Sequence, residues 1–104
     1  MKIHFSFQNA DAVCKRELEA YVNEEKLQKL IRILRHGNLE TADLDIRTEY
    51  QAHHNNYVMK IDLKIPRHIL VGQETAYDVM AAFDSAIEKI VAQMRKIEAI
   101  RHHK

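Results

Sequence analysis

Residues 77–104, the last quarter of the chain, read YDVMAAFDSAIEKIVAQMRKIEAIRHHK. Apolar side chains recur in it at steps of three and four, and these are Phe83, Ile87, Ile90, Met94 and Ile97. Because an α-helix has about 3.6 residues per turn, this spacing puts them on one face. Ala82 and Ala86 keep the first turns slim and allow close packing. The segment therefore predicts one long amphipathic helix that covers a core.

A second stripe runs beside the apolar one. Lys89, Gln93 and Lys96 step by four and three, and from Lys89 onward five Lys or Arg residues accompany one acid, Glu98. An earlier segment, residues 26–38, is also basic and contains no acid. Two basic segments in a chain of net charge +1 indicate a local positive field, which attracts anions such as nucleic acid. The alternative is two solvated helix ends, where cations are favoured by the helix dipole.

Length and composition limit the class of protein. With 104 residues, the chain has the size of one domain, predicted to span residues 1–104, and its 46% hydrophobic content suffices for one core. No apolar run approaches the roughly 18 residues of a membrane span, and the start, MKIHFSFQ, lacks a signal-peptide core. The lone cysteine, Cys14, suits a reducing compartment. We therefore expect a soluble cytoplasmic protein with no membrane partner.

The remaining chain predicts four strands and one more helix. Apolar and polar residues alternate over residues 2–8, 43–50 and 57–65, and a fourth strand is predicted over residues 68–73. The first helix is predicted over residues 12–35 and ends near Gly37. The resulting order is β-α-β-β-β-α. The fold class is therefore α+β, with two layers: a four-stranded sheet and two helices packed on one of its faces.

The apolar pattern of the first helix changes phase. One apolar face carries Cys14, Leu18, Tyr21 and Val22; a second, roughly opposite in a regular helix, carries Leu27, Leu30, Ile31 and Leu34. We predict an inserted residue near residues 22–26, visible as a π-bulge, a kink or a short break. Alternatively, the second face packs against a partner or a second subunit. That alternative describes a protein-interaction or dimerisation module without nucleic-acid binding.

Catalytic and metal sites are not indicated. The seven histidines show no His-x-x-x-His spacing, and the single cysteine excludes a Cys-x-x-Cys motif. Cys14 lies on the apolar side of its helix without a neighbouring base, so a buried thiol is expected. Only Gly37 and Gly72 occur, too few for a glycine-rich phosphate loop. We predict no enzymatic activity, no metal, no cofactor and no small-molecule substrate.

Three segments resemble a known family. The final helix contains Asp78-x-x-Ala81-Ala82-Phe83-Asp84, followed by Lys89-Ile90-x-x-Gln93-Met94-x-Lys96. A strand and turn read IDLKIP at residues 61–66, and the first helix has YV at residues 21–22 followed by KLQKL at residues 26–30. Together these resemble the ribosome hibernation-promoting factors, a family that includes the ribosome-associated inhibitor proteins and was formerly described as sigma-factor modulation proteins. The resemblance covers essentially the whole chain and is to the short form of the family.

The resemblance implies a function and a binding surface. Members of the family bind the small ribosomal subunit in the channel for messenger RNA and the A- and P-site transfer RNAs, block translation, and keep ribosomes inactive in stationary phase or stress. The implied partners are that subunit and its ribosomal RNA, and we expect a monomer off the ribosome. Basic residues on both helices contact RNA in the family; the matching positions are Lys26, Lys29, Lys89, Gln93 and Lys96. Charge alone adds Arg32, Arg35, Arg95, Arg101 and Lys104 to the predicted RNA-binding set.

The sequence departs from the family pattern at three places. Ala92 stands where the family usually has an arginine directly before Gln93, with Arg95 one turn later. The usual Pro-Gly turn is Pro66-Arg67 here. The segment at residues 22–26 is one residue longer, at the same place where the helical phase changes.

Overall fold

The structure, a computed structural model, describes residues 1–35 and 39–102, with residues 99–102 described by their backbone alone. The elements in chain order are β1 (Lys2–Gln8), α1 (Ala12–Tyr21), α2 (Gln28–Leu34), β2 (Asp43–Gln51), β3 (Asn56–Ile65), β4 (His68–Ala76) and α3 (Val79–His102). The predicted α+β class and four-stranded sheet are confirmed. The structure has three helices among its described residues, because the predicted first helix is divided into α1 and α2 within the segment where a break was predicted. The predicted helix end at Gly37 lies outside the described residues.

The sheet is mixed, and its strands lie side by side in sequence order, β1-β2-β3-β4. The β1–β2 pair is parallel, whereas β2–β3 and β3–β4 are antiparallel. Alternation along β2 and β3 buries Leu44, Ile46, Ile61 and Leu63 on the face that the helices cover. The fourth strand continues to Ala76, beyond the predicted end at residue 73. The β1 and β4 strands are the two edges of the sheet.

The interruption of the first helix is local and has a side-chain cause. After Tyr21, the Asn23 side-chain oxygen accepts a hydrogen bond from the Lys26 backbone N–H at 3.0 Å, and the Leu27 backbone N–H donates to the Asn23 carbonyl at 3.1 Å. Asparagine competes with helical hydrogen bonds in this way, which favours a turn over a continuous helix. The helix restarts at Gln28. Of the three predicted forms, the structure has the short break.

The break returns the second apolar face to the core. Leu27, Leu30 and Leu34 are 2%, 0% and 1% exposed, and Leu18 of α1 is also buried. The alternative, in which this face packs against a partner, is therefore wrong, because the face is buried inside the domain. Ile31 is half-buried at the margin of the core.

The long helix α3 lies across β4 and β3 and contributes most of the helical share of the core. Asp78 caps its first turn, accepting a hydrogen bond from the Ala81 backbone N–H at 3.1 Å. The predicted apolar face is buried from Phe83 to Met94. Gly72 of β4 sits against the backbone carbonyl of Ala86, so a methyl group at Gly72 would collide with the helix backbone. The closest approach of helix and sheet thus depends on a residue without a side chain.

On the face of the sheet that the helices leave open, charged side chains of β2 and β3 form ion pairs with their diagonal neighbours. Asp45 lies opposite Asp62, and Arg47 lies opposite Lys60. The like charges are separated because Arg47 pairs with Asp62 at 2.6 Å and Lys64 pairs with Asp45 at 3.7 Å. A one-residue slip of β2 against β3 would break both pairs and turn the apolar residues outward, so the register is well specified. Among the described helices, none combines the length and the apolar character that crossing a membrane requires.

Gly72→Ala tests the close approach of α3 to the sheet. In an open strand this change is mildly favourable, but here the new methyl group meets the Ala86 carbonyl. We expect a loss of about 1–3 kcal/mol in the free energy of unfolding, measured by urea denaturation. Thr75→Ala, at an exposed position of the same strand, is the matched control and should stay within about 0.5 kcal/mol of the wild type. A Gly72→Ala protein as stable as the wild type would contradict the close packing.

Candidate nucleic-acid interface

Topology brings the ends of α2 and α3 to the same end of the molecule. The segment formed by α1 and α2 runs antiparallel to β1, and α3 runs antiparallel to β4. The two helical segments lie side by side and run in the same direction, because Tyr21 at the end of α1 bonds to Asp84 of α3, and Lys29 of α2 bonds to Glu88, one turn later in α3. At this end β1, β2 and β4 begin and β3 finishes. We call it the basic end. The opposite end carries Asp11 and Asp78, the carboxylates that cap α1 and α3.

Two of the predicted cations, Lys26 in the break between α1 and α2 and Lys29 in α2, lie against neighbouring side chains. Lys26 places its ammonium 4.5 Å from the centre of the Tyr21 ring, and hydrogen bonding to Tyr21 raises the pKa of Lys26. Tyr21 itself donates to Asp84 at 2.7 Å and packs edge-on against Phe83. Lys29 pairs with Glu88 at 3.2 Å, but both side chains are more than half exposed. Such surface pairs exchange readily for another anion because they contribute little stability.

Arg32 and Arg35 have a different environment. Both are exposed at the end of α2, and neither side chain takes part in an ion pair or hydrogen bond among the described residues. Arg32 lies in the last turn of α2, and Arg35 is its C-cap residue. The negative end of the helix dipole favours cations here, which accounts for their helical position. Their guanidinium groups remain available to an anion in solution.

Lys89 and Gln93 on α3 bind the edge of the sheet. The Lys89 ammonium donates to the backbone carbonyl of Gln73 at 2.9 Å and pairs with Glu74 at 2.5 Å. The Gln93 amide donates to the backbone carbonyl of Val71 at 2.8 Å. Edge strands expose unpaired backbone groups, and here two side chains of α3 satisfy two of those carbonyls. The edge of β4 is thereby covered.

The remaining predicted residues of α3 divide into two groups. Arg95 and Lys96 are exposed on the next turn, outside the ion pairs of the described residues, and Ala92 is exposed just before them. The Arg101 side chain and the whole of Lys104 lie outside what the structure describes. Arg32 and Arg35 at the end of α2 and Arg95 and Lys96 in the later part of α3 therefore all lie toward the basic end.

Sequence reasoning did not find the acidic partners. Glu74 and Glu88 pair with Lys89 and Lys29 across different elements, at 15 and 59 residues of separation. The periodicity of one helix gives no information about its contacts with another element. These ion pairs could be expected only after the packing of α3 on β4 and α2 was known.

Sites of other chemistry are absent from the residues that the structure describes. No group of three His, Cys, Asp or Glu side chains within residues 1–35 and 39–98 is arranged to hold a metal ion. Cys14 is buried, and its burial raises the pKa of the thiol. A thiol in that state is a poor nucleophile, because the thiolate is the reactive form.

Lys89→Met tests the contact between α3 and the edge of β4. Hydrogen bonding and charge from Lys89 lower the pKa of Glu74, so the variant should raise it toward the ordinary value of 4.5. Since the folded-state pKa lies below the unfolded one, this pair stabilises the fold above the unfolded pKa, and its contribution is lost as pH falls through the folded value. The measurement is an NMR titration of the Glu74 carboxyl carbon. Lys96→Met is the control; an equal shift in both variants, or none, would contradict the contact.

Of three comparisons with known proteins, two agree with this architecture and one found no match. The family model described as "Sigma 54 modulation protein / S30EA ribosomal protein" matches residues 3–101. No curated protein sequence matches the chain. The N-terminal domain of Thermus thermophilus Protein Y has a TM-score of 0.65 at 18% identity, covering 93% of this chain and 99% of that domain. A ribosomal subunit interface protein from Coxiella burnetii has a TM-score of 0.68 at 22% identity, covering 95% of this chain and 99% of that one.

These comparisons bear on fold and family separately. At 18% and 22% identity, the two solved structures establish a shared fold. The family match spans nearly all of the 104 residues, and it confirms the resemblance read from the sequence motifs. The chain therefore belongs to the Sigma 54 modulation protein / S30EA ribosomal protein family.

Proposed function

We propose that the chain is a non-enzymatic factor that binds the small ribosomal subunit through its basic end and keeps ribosomes inactive in stationary phase or stress. The observation that carries this proposal is that exposed cations of both α2 and α3 lie toward one end of the domain. Arg32, Arg35, Arg95 and Lys96 come from separate elements, and the described residues offer them no carboxylate partner. Unpaired cations gathered at one end favour a polyanion as the partner.

Ribosomal RNA is the polyanion that the family supports. The family description names a ribosomal protein, and the Coxiella burnetii relative is named a ribosomal subunit interface protein. Lysine and arginine bind phosphates with little reading of sequence, releasing counterions as they do so. Specificity then comes from the shape of folded RNA. Binding of this kind requires no catalytic group.

The shape of the domain suits a channel. Its dimensions are 49 × 22 × 21 Å, with α3 extending over 24 residues. A body of this shape with charge at one end enters a negatively charged channel lengthwise. We propose, following the resemblance, that the channel is the path of messenger RNA and the A- and P-site transfer RNAs. Occupancy there excludes both ligands by volume and so prevents translation.

The predicted contact residues take different roles in this proposal. Arg32, Arg35, Arg95 and Lys96 contact phosphates directly. Lys89 and Gln93 hold α3 on the sheet edge, so their substitution weakens binding through the position of the helix. Lys26 and Lys29 precede Arg32 and Arg35 in the chain and lie farther from the basic end. Lys29 can exchange its partner Glu88 for a phosphate. Arg101 and Lys104 stay predictions from charge.

The direct test is co-sedimentation of the protein with purified small subunits over a series of salt concentrations. The double variant Arg35→Glu with Lys96→Glu should weaken binding at least about tenfold at 0.1 M salt, because two phosphate contacts are lost and two repulsions are added. The slope of log affinity against log salt should fall by about two, one for each contact. Both positions are exposed, so the fold is expected to survive, which circular dichroism would verify.

The matched control is Lys15→Glu with Arg16→Glu. It makes the same change in net charge at exposed positions of α1, away from the basic end. This variant should retain most of the affinity and should still inhibit translation in a cell-free assay, whereas the basic-end variant should not. Equal loss in the two variants would mean that net charge alone drives association. Wild-type protein that fails to sediment with small subunits at low salt would overturn the proposed function.

A further inference from the structure

The turn between β3 and β4 holds a cation in a backbone conformation that favours glycine. Ile65 pairs with His68, so the loop consists of Pro66 and Arg67 alone. Arg67 has φ of 73°, in the left-handed region. Proline followed by a residue of positive φ is the pattern of a type II turn, in which the second position is normally glycine. Arginine is a costly occupant there because its Cβ crowds the backbone.

No local interaction of the described residues explains why an arginine occupies this position. Among the described residues, the other non-glycine residues of positive φ are Asn9 and Asn55, and asparagine is several-fold enriched in this region. The Asn55 side chain also accepts a hydrogen bond from the Tyr50 hydroxyl at 2.6 Å. Arg67 is exposed, and no hydrogen bond or ion pair within residues 1–35 and 39–98 involves it. The turn therefore carries strain that no contact of the described side chains offsets.

The path of α3 places this turn at the basic end. Lys89 reaches the carbonyl of Gln73, and Gln93, four residues later, reaches the carbonyl of Val71, two residues earlier in β4. Four helical residues rise about 6 Å and two strand residues span about 6.6 Å, so the two advance together. Continued by the same steps, the helix backbone passes Ile69 near residue 97 and the Pro66-Arg67 turn near residue 101. Arg67 thus extends the surface formed by Arg95 and Lys96 onto the sheet.

We infer that Arg67 binds an RNA phosphate and that the strained turn is retained for this contact. The inference rests on the proposed function and adds a third element, the β3–β4 turn, to a surface otherwise built from α2 and α3. A guanidinium group suits the role because it donates two parallel hydrogen bonds to one phosphate. Placed at the tip of a two-residue turn, it projects from a rigid hairpin and not from a helix end.

The inference predicts opposite effects of one substitution on stability and on binding. Arg67→Gly relieves the positive-φ strain, so the Tm should rise by about 2–4 °C in differential scanning calorimetry. The same variant should bind small subunits about five- to eightfold more weakly at 0.1 M salt, the counterion contribution of one phosphate contact. The slope of log affinity against log salt should fall by about one, so the difference should vanish near 1 M salt.

Two controls separate charge from backbone. Arg67→Lys keeps both the charge and the strain, and it should preserve the salt slope with an unchanged Tm. Arg67→Asn removes the charge but tolerates positive φ, and it should bind as weakly as Arg67→Gly. If wild-type protein binds small subunits and Arg67→Gly binds with the same affinity and slope, the inference is wrong and the proposed function stands. If the wild type itself does not bind, the proposed function falls and the inference falls with it.

Discussion

The contact of α3 with β4 is the constraint on which the rest of the structure depends. Gly72 lets the helix backbone lie directly on the strand, with the Ala86 carbonyl where a side chain would otherwise stand. Lys89 and Gln93 then bind two carbonyls along the exposed edge. The apolar face of α3 fixes the depth of the helix, and these polar contacts fix its rotation and its position along the strand. Because Asp84 of α3 accepts a hydrogen bond from Tyr21 and Phe83 packs edge-on against the same ring, the end of α1 is positioned by α3.

This arrangement links the core to the charged surface. A helix that runs antiparallel to β4 must finish where β4 begins, and α1 and α2 must finish where β2 begins. The connections alone therefore carry the basic helix ends to one end of the domain, while the acidic caps collect at the other. The fold thus places exposed helix-end cations at one end of a domain whose net charge is only +1. Cations gathered at one end orient an approaching domain in the field of a polyanion.

Much of the fold could be predicted from sequence because its signals are periodic and local. Alternation located β2 and β3, the steps of three and four located α3, and the change of phase located the break after Tyr21. The break's form depended on the bond from Asn23 to the Lys26 backbone, which periodicity does not contain. The site was predictable only as a set of charges. Lys89 and Gln93 lie in a basic stripe by sequence, yet their partners are backbone carbonyls on a strand some twenty residues earlier. Arg67 could be recognised as a candidate contact only from its positive φ, which the sequence does not show.

The proposed binding of ribosomal RNA assigns the contact surface to the basic end. An NMR map of isotope-labelled protein during titration with purified small subunits at low salt, read residue by residue from backbone amide signal loss, measures that surface directly. If the basic end binds RNA, signal loss at substoichiometric subunit begins in the last turn of α2, the Pro66-Arg67 turn and the half of α3 beyond Gln93. Signal loss that begins instead on the open face of the sheet, around Arg47 and Lys60, or at the acidic end around Asp11 and Asp78, would contradict it.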